Sequence, residues 1–197
     1  MNLKTLNPPL IELPAGQTFF RVQLLRARPG SVKRNGLLLP PAGVLSGRFC
    51  LPDQVTAYLA DSADTALFES QFRRDVVSRS LADLRKRALL QFTTTQPLRL
   101  VDLRPLAEPY PLLQSLRFAQ TQALALDCFK AGHHGLVYAS AQHPQHACVG
   151  LFPHGIDQLR RTQQWPLVRP GTQRLLHAVV DAARRSGVPL MDHVAAS

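Results

Sequence analysis

Five polar residues interrupt apolar runs. They are Arg21 in Phe19-Phe20-Arg21-Val22, Arg48 in Gly47-Arg48-Phe49, Tyr58 in Tyr58-Leu59-Ala60, Glu69 in Ala66-Leu67-Phe68-Glu69-Ser70, and Ser140 in Gly135-Leu136-Val137-Tyr138-Ala139-Ser140. A charge in such a setting is costly unless it is paired or holds a ligand. Guanidinium groups take phosphate oxygens in pairs, and an aromatic face accepts a planar ring. A carboxylate stabilises developing positive charge, and a hydroxyl can donate or accept. Two arginines, a tyrosine, a glutamate and a serine are what a dinucleotide site needs. Each residue also has a plainer reading. Arg21 can be a strand-edge arginine with its head in water, Arg48 a partner of Asp53, Tyr58 a core aromatic, and Ser140 a strand-end turn residue. Glu69 can pair with Arg73 at i+4, a contact worth only ~0.3–0.5 kcal/mol when exposed.

A second cluster comprises His133, His134, His143, His146 and His154, close to Cys148. Zinc uses such residues, but His143-x-x-His146-x-Cys148 fits no common ligand spacing, so no metal is expected. Cys50, Cys128 and Cys148 are widely spaced and odd in number, which argues against a disulfide framework. A reducing, cytoplasmic setting is the simplest expectation. Asp102 and Glu108 read as structural acids that pair with arginines.

These residues need elements to hold them. Residues 1–17 read as an extended, Pro-rich arm ahead of a domain over 18–190. A first strand is expected at 19–25, a long loop at 26–46, a short extended piece at 47–50 and a strand at 55–60. Ser62 or Asp61 can cap a helix that runs to about Arg74, with Ala63, Ala66, Leu67 and Ser70 on one face. Ser80 opens a second helix over 81–90, with Asp83 three residues on. Extended runs follow at 92–95 and 98–103, then the longest helix at 111–131, closed by Gly132. Short strands at 136–139 and 148–152 flank the His-rich loop, and a last helix at 172–186 stops at Gly187 and Pro189. Strands and helices mix without βαβ alternation. The expected class is α+β, a single domain with a mixed, mainly antiparallel β core flanked by helices.

Composition bounds the function. The 197 residues are 45% hydrophobic and 18% charged, which suits one folded domain. No apolar run approaches the ~20 residues of a membrane span, and residues 1–14 lack the apolar stretch of a secretory signal. The net charge of +10 favours anionic partners. It is dispersed over short clusters, and no nucleic-acid-binding signature appears, so direct nucleic-acid binding is not expected.

With these residues placed, the chain resembles the RES domain family, named for an Arg, a Glu and a Ser that match Arg21, Glu69 and Ser140. Further matches are Gly47-Arg48-Phe49, Tyr58-Leu59-Ala60-Asp61, and the run from Gly135 to Ser140 followed by Val149-Gly150-Leu151-Phe152. The turn Gln142 to His146 departs from the family's more usual basic, Gly-containing turn, which leaves that loop's shape open. The resemblance implies a fold related to ADP-ribosyltransferase toxins. It also implies NAD as substrate, no cofactor, and removal of nicotinamide by hydrolysis or phosphorolysis. Family members are typically toxins of bacterial toxin–antitoxin pairs, blocked by Xre-like antitoxins. By that resemblance Arg21, Glu69 and Ser140 are the catalytic set, and Arg21, Arg48, Tyr58 and Ser140 bind NAD. Arginines would hold the pyrophosphate, Tyr58 the nicotinamide ring and Glu69 the ribose, while Ser140 would donate to a phosphate or carboxamide or hold Glu69. Two alternatives stay open: protein ADP-ribosyl transfer on the same site, and a basic nucleic-acid-binding module. Assembly with further copies of the chain also stays open.

Overall fold

Strand pairing positions the site, and one weak pair matters most. The computed structural model describes residues 3–114 and 118–192. In chain order it has α1 (Leu3–Leu6), β1 (Leu10–Leu13), β2 (Thr18–Leu24), β3 (Val32–Arg34), β4 (Leu37–Leu39), β5 (Ala57–Ala60) and α2 (Ala63–Ser70). Next come β6 (Arg79–Ser80), α3 (Leu81–Arg85), β7 (Arg87–Thr94) and β8 (Leu98–Asp102). Two 3-10 turns, Arg104–Leu106 and Pro111–Gln114, lead to α4 (Ala119–Lys130) and β9 (Gly135–Ala139). The chain continues through β10 (Ala147–Leu151), α5 (Pro153–Asp157), β11 (Leu159–Pro166), α6 (His177–Ser186) and β12 (Leu190–Met191).

Eight strands form one sheet in the order β1-β8-β9-β10-β5-β2-β7-β11. Its neighbours are antiparallel except for β8 and β9. The expected α+β class, one domain with a mainly antiparallel core and flanking helices, is the observed one. Side chains alternate between two apolar layers, as strand geometry requires. Val22, Ala60, Leu136 and Tyr138 pack under α2, α4 and α6. Phe19, Leu59, Leu90 and Val137 face the other layer with Leu37, Leu39 and Ile156.

The sheet nearly parts at its centre. β2 pairs with β7 from Thr18 to Leu24, but with β5 only at Phe20 and Ala60. Beyond that point the strands diverge, and the guanidinium of Arg21 spans the gap, with Nη1 donating to the Tyr58 carbonyl at 2.6 Å.

Several segments differ from expectation. The N-terminal arm is not extended throughout, since it opens with α1, and it docks on the sheet. β1 pairs along β8, and the Gly16 N–H donates to the Thr94 carbonyl at 2.9 Å. The loop at 26–46 contains the β3–β4 hairpin. Residues 47–50 form a turn, closed by Cys50 N–H on the Gly47 carbonyl at 3.3 Å, instead of an extended piece. α2 ends at Ser70, and α3 stops at Arg85 where a helix to residue 90 was expected. Residues 87–94 are drawn into the sheet because β2 and β11 supply partners on both sides, and tertiary pairing overrides helix propensity. The long helix expected at 111–131 is a 3-10 turn and α4, with 115–117 outside the described residues. α6 begins only at His177, but ends as expected at Gly187, whose φ of 70° is the left-handed cap that favours glycine. α5 and β11 had no counterpart in the sequence reading.

Candidate active site

A cavity of about 380 Å³ opens where β2 and β5 part. Arg21, Arg48, Tyr58 and Glu69 all line it, and Ser140 stands directly behind Glu69. Residues from a strand, a turn, a second strand, a helix and a strand end thus converge on one place.

Arg21 is half-buried, and its Nε is buried with no hydrogen-bond partner among the described residues. Burial lowers its pKa, yet arginine keeps its proton at neutral pH. No carboxylate pairs with it among the described residues. A desolvated cation of this kind is stabilised by an anionic ligand group.

Arg48 is aimed by Tyr58. The Phe49 N–H donates to Tyr58 Oη at 2.8 Å, and a Cβ added at Gly47 would lie 2.6 Å from that oxygen. Glycine is therefore required where the turn crosses the Tyr58 ring. Cys50 Sγ accepts from the Gly47 N–H at 3.2 Å and tightens the turn. The turn sends Arg48 over the Tyr138 ring at 5.1 Å, with Nη1 donating to the Leu113 carbonyl at 3.2 Å. The plainer pairing of Arg48 with Asp53 is not formed. Burial pushes the Tyr58 phenol well up, so it stays protonated.

Glu69 lies on α2, whose N-terminus is capped by Ser62: Oγ accepts from the Thr65 N–H at 3.1 Å. Because α2 ends at Ser70, Arg73 leaves the helix and pairs with Asp75 at 3.0 Å, so the simple i+4 pair with Glu69 does not form. Glu69 Oε1 instead accepts from Ser140 Oγ at 2.5 Å and from the Gln142 N–H at 3.2 Å. Ser140 Oγ in turn accepts from the N–H groups of Gln142 at 3.3 Å and His143 at 2.9 Å. The serine's one proton is used on Glu69. Its geometry is that of a positioning hydroxyl.

The histidines divide. His143 and His146 stack with ring centroids 3.9 Å apart in the β9–β10 loop, and His146 Nδ1 lies 3.3 Å from the Asp61 carboxylate. His134 Nδ1 accepts from the Arg99 N–H at 3.0 Å, and His154 stacks on Phe129. Among the described residues no group of three or more His, Cys, Asp or Glu is placed to hold a metal ion. Asp102 pairs with Arg104 at 2.7 Å. No helix of the described residues is long and apolar enough to cross a membrane.

Two contributors escaped the sequence reading. Tyr138 lines the cavity and forms a platform with Phe49 at 5.0 Å under Arg48. Its alternation with Leu136 in β9 was a usable signal. The Gln142 N–H had none, since it depends on how the loop folds back over α2.

Fold and site define an α+β domain with a cationic cleft facing a hydrogen-bonded carboxylate. The family model of the RES domain matches residues 20–170, and the chain belongs to that family. Among solved structures it is similar to a chain of the M. tuberculosis MbcT–MbcA toxin–antitoxin complex. The identity is 18% over 78% of this chain and 85% of that one, with a TM-score of 0.56, a likeness of fold. None of the curated proteins matches the sequence.

Proposed function

We propose that this protein degrades NAD by cleaving the nicotinamide–ribose bond, through hydrolysis or phosphorolysis, as the toxin of a bacterial toxin–antitoxin pair. The observation that carries the reading is the cleft's polarity. Arg21 and Arg48, free of carboxylate partners among the described residues, face Glu69 held by two donors. The arginines suit the pyrophosphate, and the Tyr58 and Tyr138 rings suit the nicotinamide. Cleavage sends the bonding electron pair onto the nicotinamide nitrogen and leaves an oxocarbenium-like centre on the ribose. Glu69 stabilises that centre or hydrogen-bonds the ribose hydroxyls. A water or phosphate oxygen then bonds to the ribose carbon and releases its proton. Nicotinamide leaves as a neutral base, so residues that orient and stabilise suffice for this step.

Family membership supports the reading, and so does likeness of fold to a chain from a toxin–antitoxin complex. A cleft with unpaired arginines on a chain of net charge +10 suits an acidic antitoxin segment whose carboxylate stands in for the pyrophosphate. The setting is cytoplasmic, where NAD and the antitoxin would meet the enzyme. The direct experiment is incubation of purified protein with NAD, with and without phosphate. Release of nicotinamide is expected. A requirement for phosphate, with a phosphorylated ADP-ribose product, marks the phosphorylase. Intact NAD with a folded protein in both conditions would sink the proposal, and labelled NAD appearing on a protein band would redirect it to ADP-ribosyl transfer.

A further inference from the structure

The loop that brings Ser140 and Gln142 to Glu69 has a second anchor one helical turn away. Thr65, Phe68 and Glu69 share a face of α2, at i, i+3 and i+4. His143 packs on that face and is only 9% exposed. Its ring stacks on Phe68 at 4.8 Å and on His146 at 3.9 Å. Nδ1 lies 2.9 Å from Thr65 Oγ1, and Nε2 lies 2.9 Å from Nη2 of Arg185 on α6. Arg185 also donates to Asp64 Oδ2 at 2.5 Å and lies over the Phe68 ring at 5.3 Å.

These contacts assign the proton. A guanidinium only donates, so His143 Nε2 must accept, and Nδ1 then carries the hydrogen. Nδ1–H donates to Thr65 Oγ1, and the threonine hydroxyl is left to donate to Ser62 Oγ at 2.7 Å, the cap of α2. The His143 backbone N–H meanwhile donates to Ser140 Oγ. One neutral imidazole thus ties together the helix that carries Glu69, the loop that orients it, and α6.

We propose that His143 is a positioning residue for Glu69: when neutral it clamps the 140–146 loop onto α2 so that Ser140 and Gln142 reach the carboxylate, and protonation opens the clamp. A second proton would turn Nε2 into a donor facing another donor. The charged and titratable groups around the ring are Arg185 from α6, His146 from the same loop, Asp64 from α2 and Asp61 at the end of β5. Burial, then His146 and Arg185, lower the His143 pKa from its ordinary value of 6.5, while the two aspartates oppose the shift. A histidine depressed in the fold takes its proton more readily in the unfolded chain. Its contribution to stability is therefore complete above about pH 6.5 and is lost as pH falls through the lower folded value.

The activity arm of the test rests on the NAD reading, and a second arm does not. Hydrogen exchange of the Gln142 and His143 amides is followed by NMR from about pH 8 to about pH 5, together with the ring nitrogen shifts of His143. Protected amides and an Nδ1–H tautomer are expected at neutral pH, with protection lost on acidification. His143→Gln keeps an acceptor for Arg185 and cannot titrate, so its protection should become independent of pH. In NAD cleavage, His143→Ala should lower kcat ~10- to 100-fold with KM little changed, as expected for a misplaced catalytic group. His143→Gln should restore most of kcat and flatten the acid limb. Unprotected amides at neutral pH, an Nε2–H tautomer, or an unchanged acid limb in His143→Gln overturns the proposal. If wild-type protein leaves NAD intact, the functional reading fails, and amide exchange alone decides the clamp.

Discussion

The two walls of the cleft are built on opposite principles. On the α2 wall, Glu69 Oε1 accepts two hydrogen bonds, and its main donor, Ser140, accepts two more from its own loop. On the β2 wall, among the described residues, Arg21 makes one hydrogen bond to a carbonyl and keeps a buried Nε without a partner. Arg48 rests on an aromatic platform and the Leu113 carbonyl. Under the proposed reading, the carboxylate that acts in a fixed geometry is held by a short hydroxyl contact and a backbone N–H before any ligand arrives. The cations proposed to bind an anion are placed by backbone carbonyls, with donors left over among the described residues. The molecule thus separates positioning from binding, and substitutions on the two walls should fail differently.

Glu69→Ala should give the largest effect, a loss of ~100- to 1000-fold in kcat with KM nearly unchanged, measured as nicotinamide release. A rise in KM alone would place Glu69 on the binding wall and break the contrast. Arg21→Lys should come next. Lysine cannot span the gap to Tyr58 and present a planar fork together, so KM should rise ~10- to 100-fold while kcat falls less. Unchanged KM would remove Arg21 from the pyrophosphate. Ser140→Ala should lower kcat ~10-fold without changing KM, because Glu69 loses one of its donors but stays in the cleft. An effect on KM instead would mean that the hydroxyl touches substrate. Smallest in activity, and best read by thermal melting, are changes in the Tyr58 scaffold. Tyr58→Phe leaves the Phe49 N–H unpaired, and Gly47→Ala pushes a methyl into the ring; each should cost ~1–3 kcal/mol of stability. If either shifted the KM for NAD more than Arg48→Ala does, the turn itself would be part of the site.

Local chemistry made some of this legible in the sequence. Arg21, Glu69 and Tyr58 were visible as polar groups in apolar runs, and Ser62 as a cap ahead of an amphipathic stretch. Ser140 was visible only as an ordinary turn residue until the order of motifs was considered. The sequence predicts α3 too long because Ala88, Leu89 and Leu90 suit a buried helix or a buried strand equally well, and only partners on both sides decide. β11 was missed because its polar, exposed run gives no period-two signal at a sheet edge.

By itself the sequence determined the α+β class, the residue types of the site and the elements that carry most of them, since period, capping and the cost of buried charge are local properties. Only the tertiary structure decided that β2 and β5 touch at one pair, that the gap is spanned by Arg21, and that Ser140 spends its proton on Glu69. The same folding set the Tyr138 platform under Arg48 and the His143 ring between Thr65 and Arg185. Each of these rests on groups far apart in the chain, whose hydrogen-bond roles exist only once the fold brings donor and acceptor within reach.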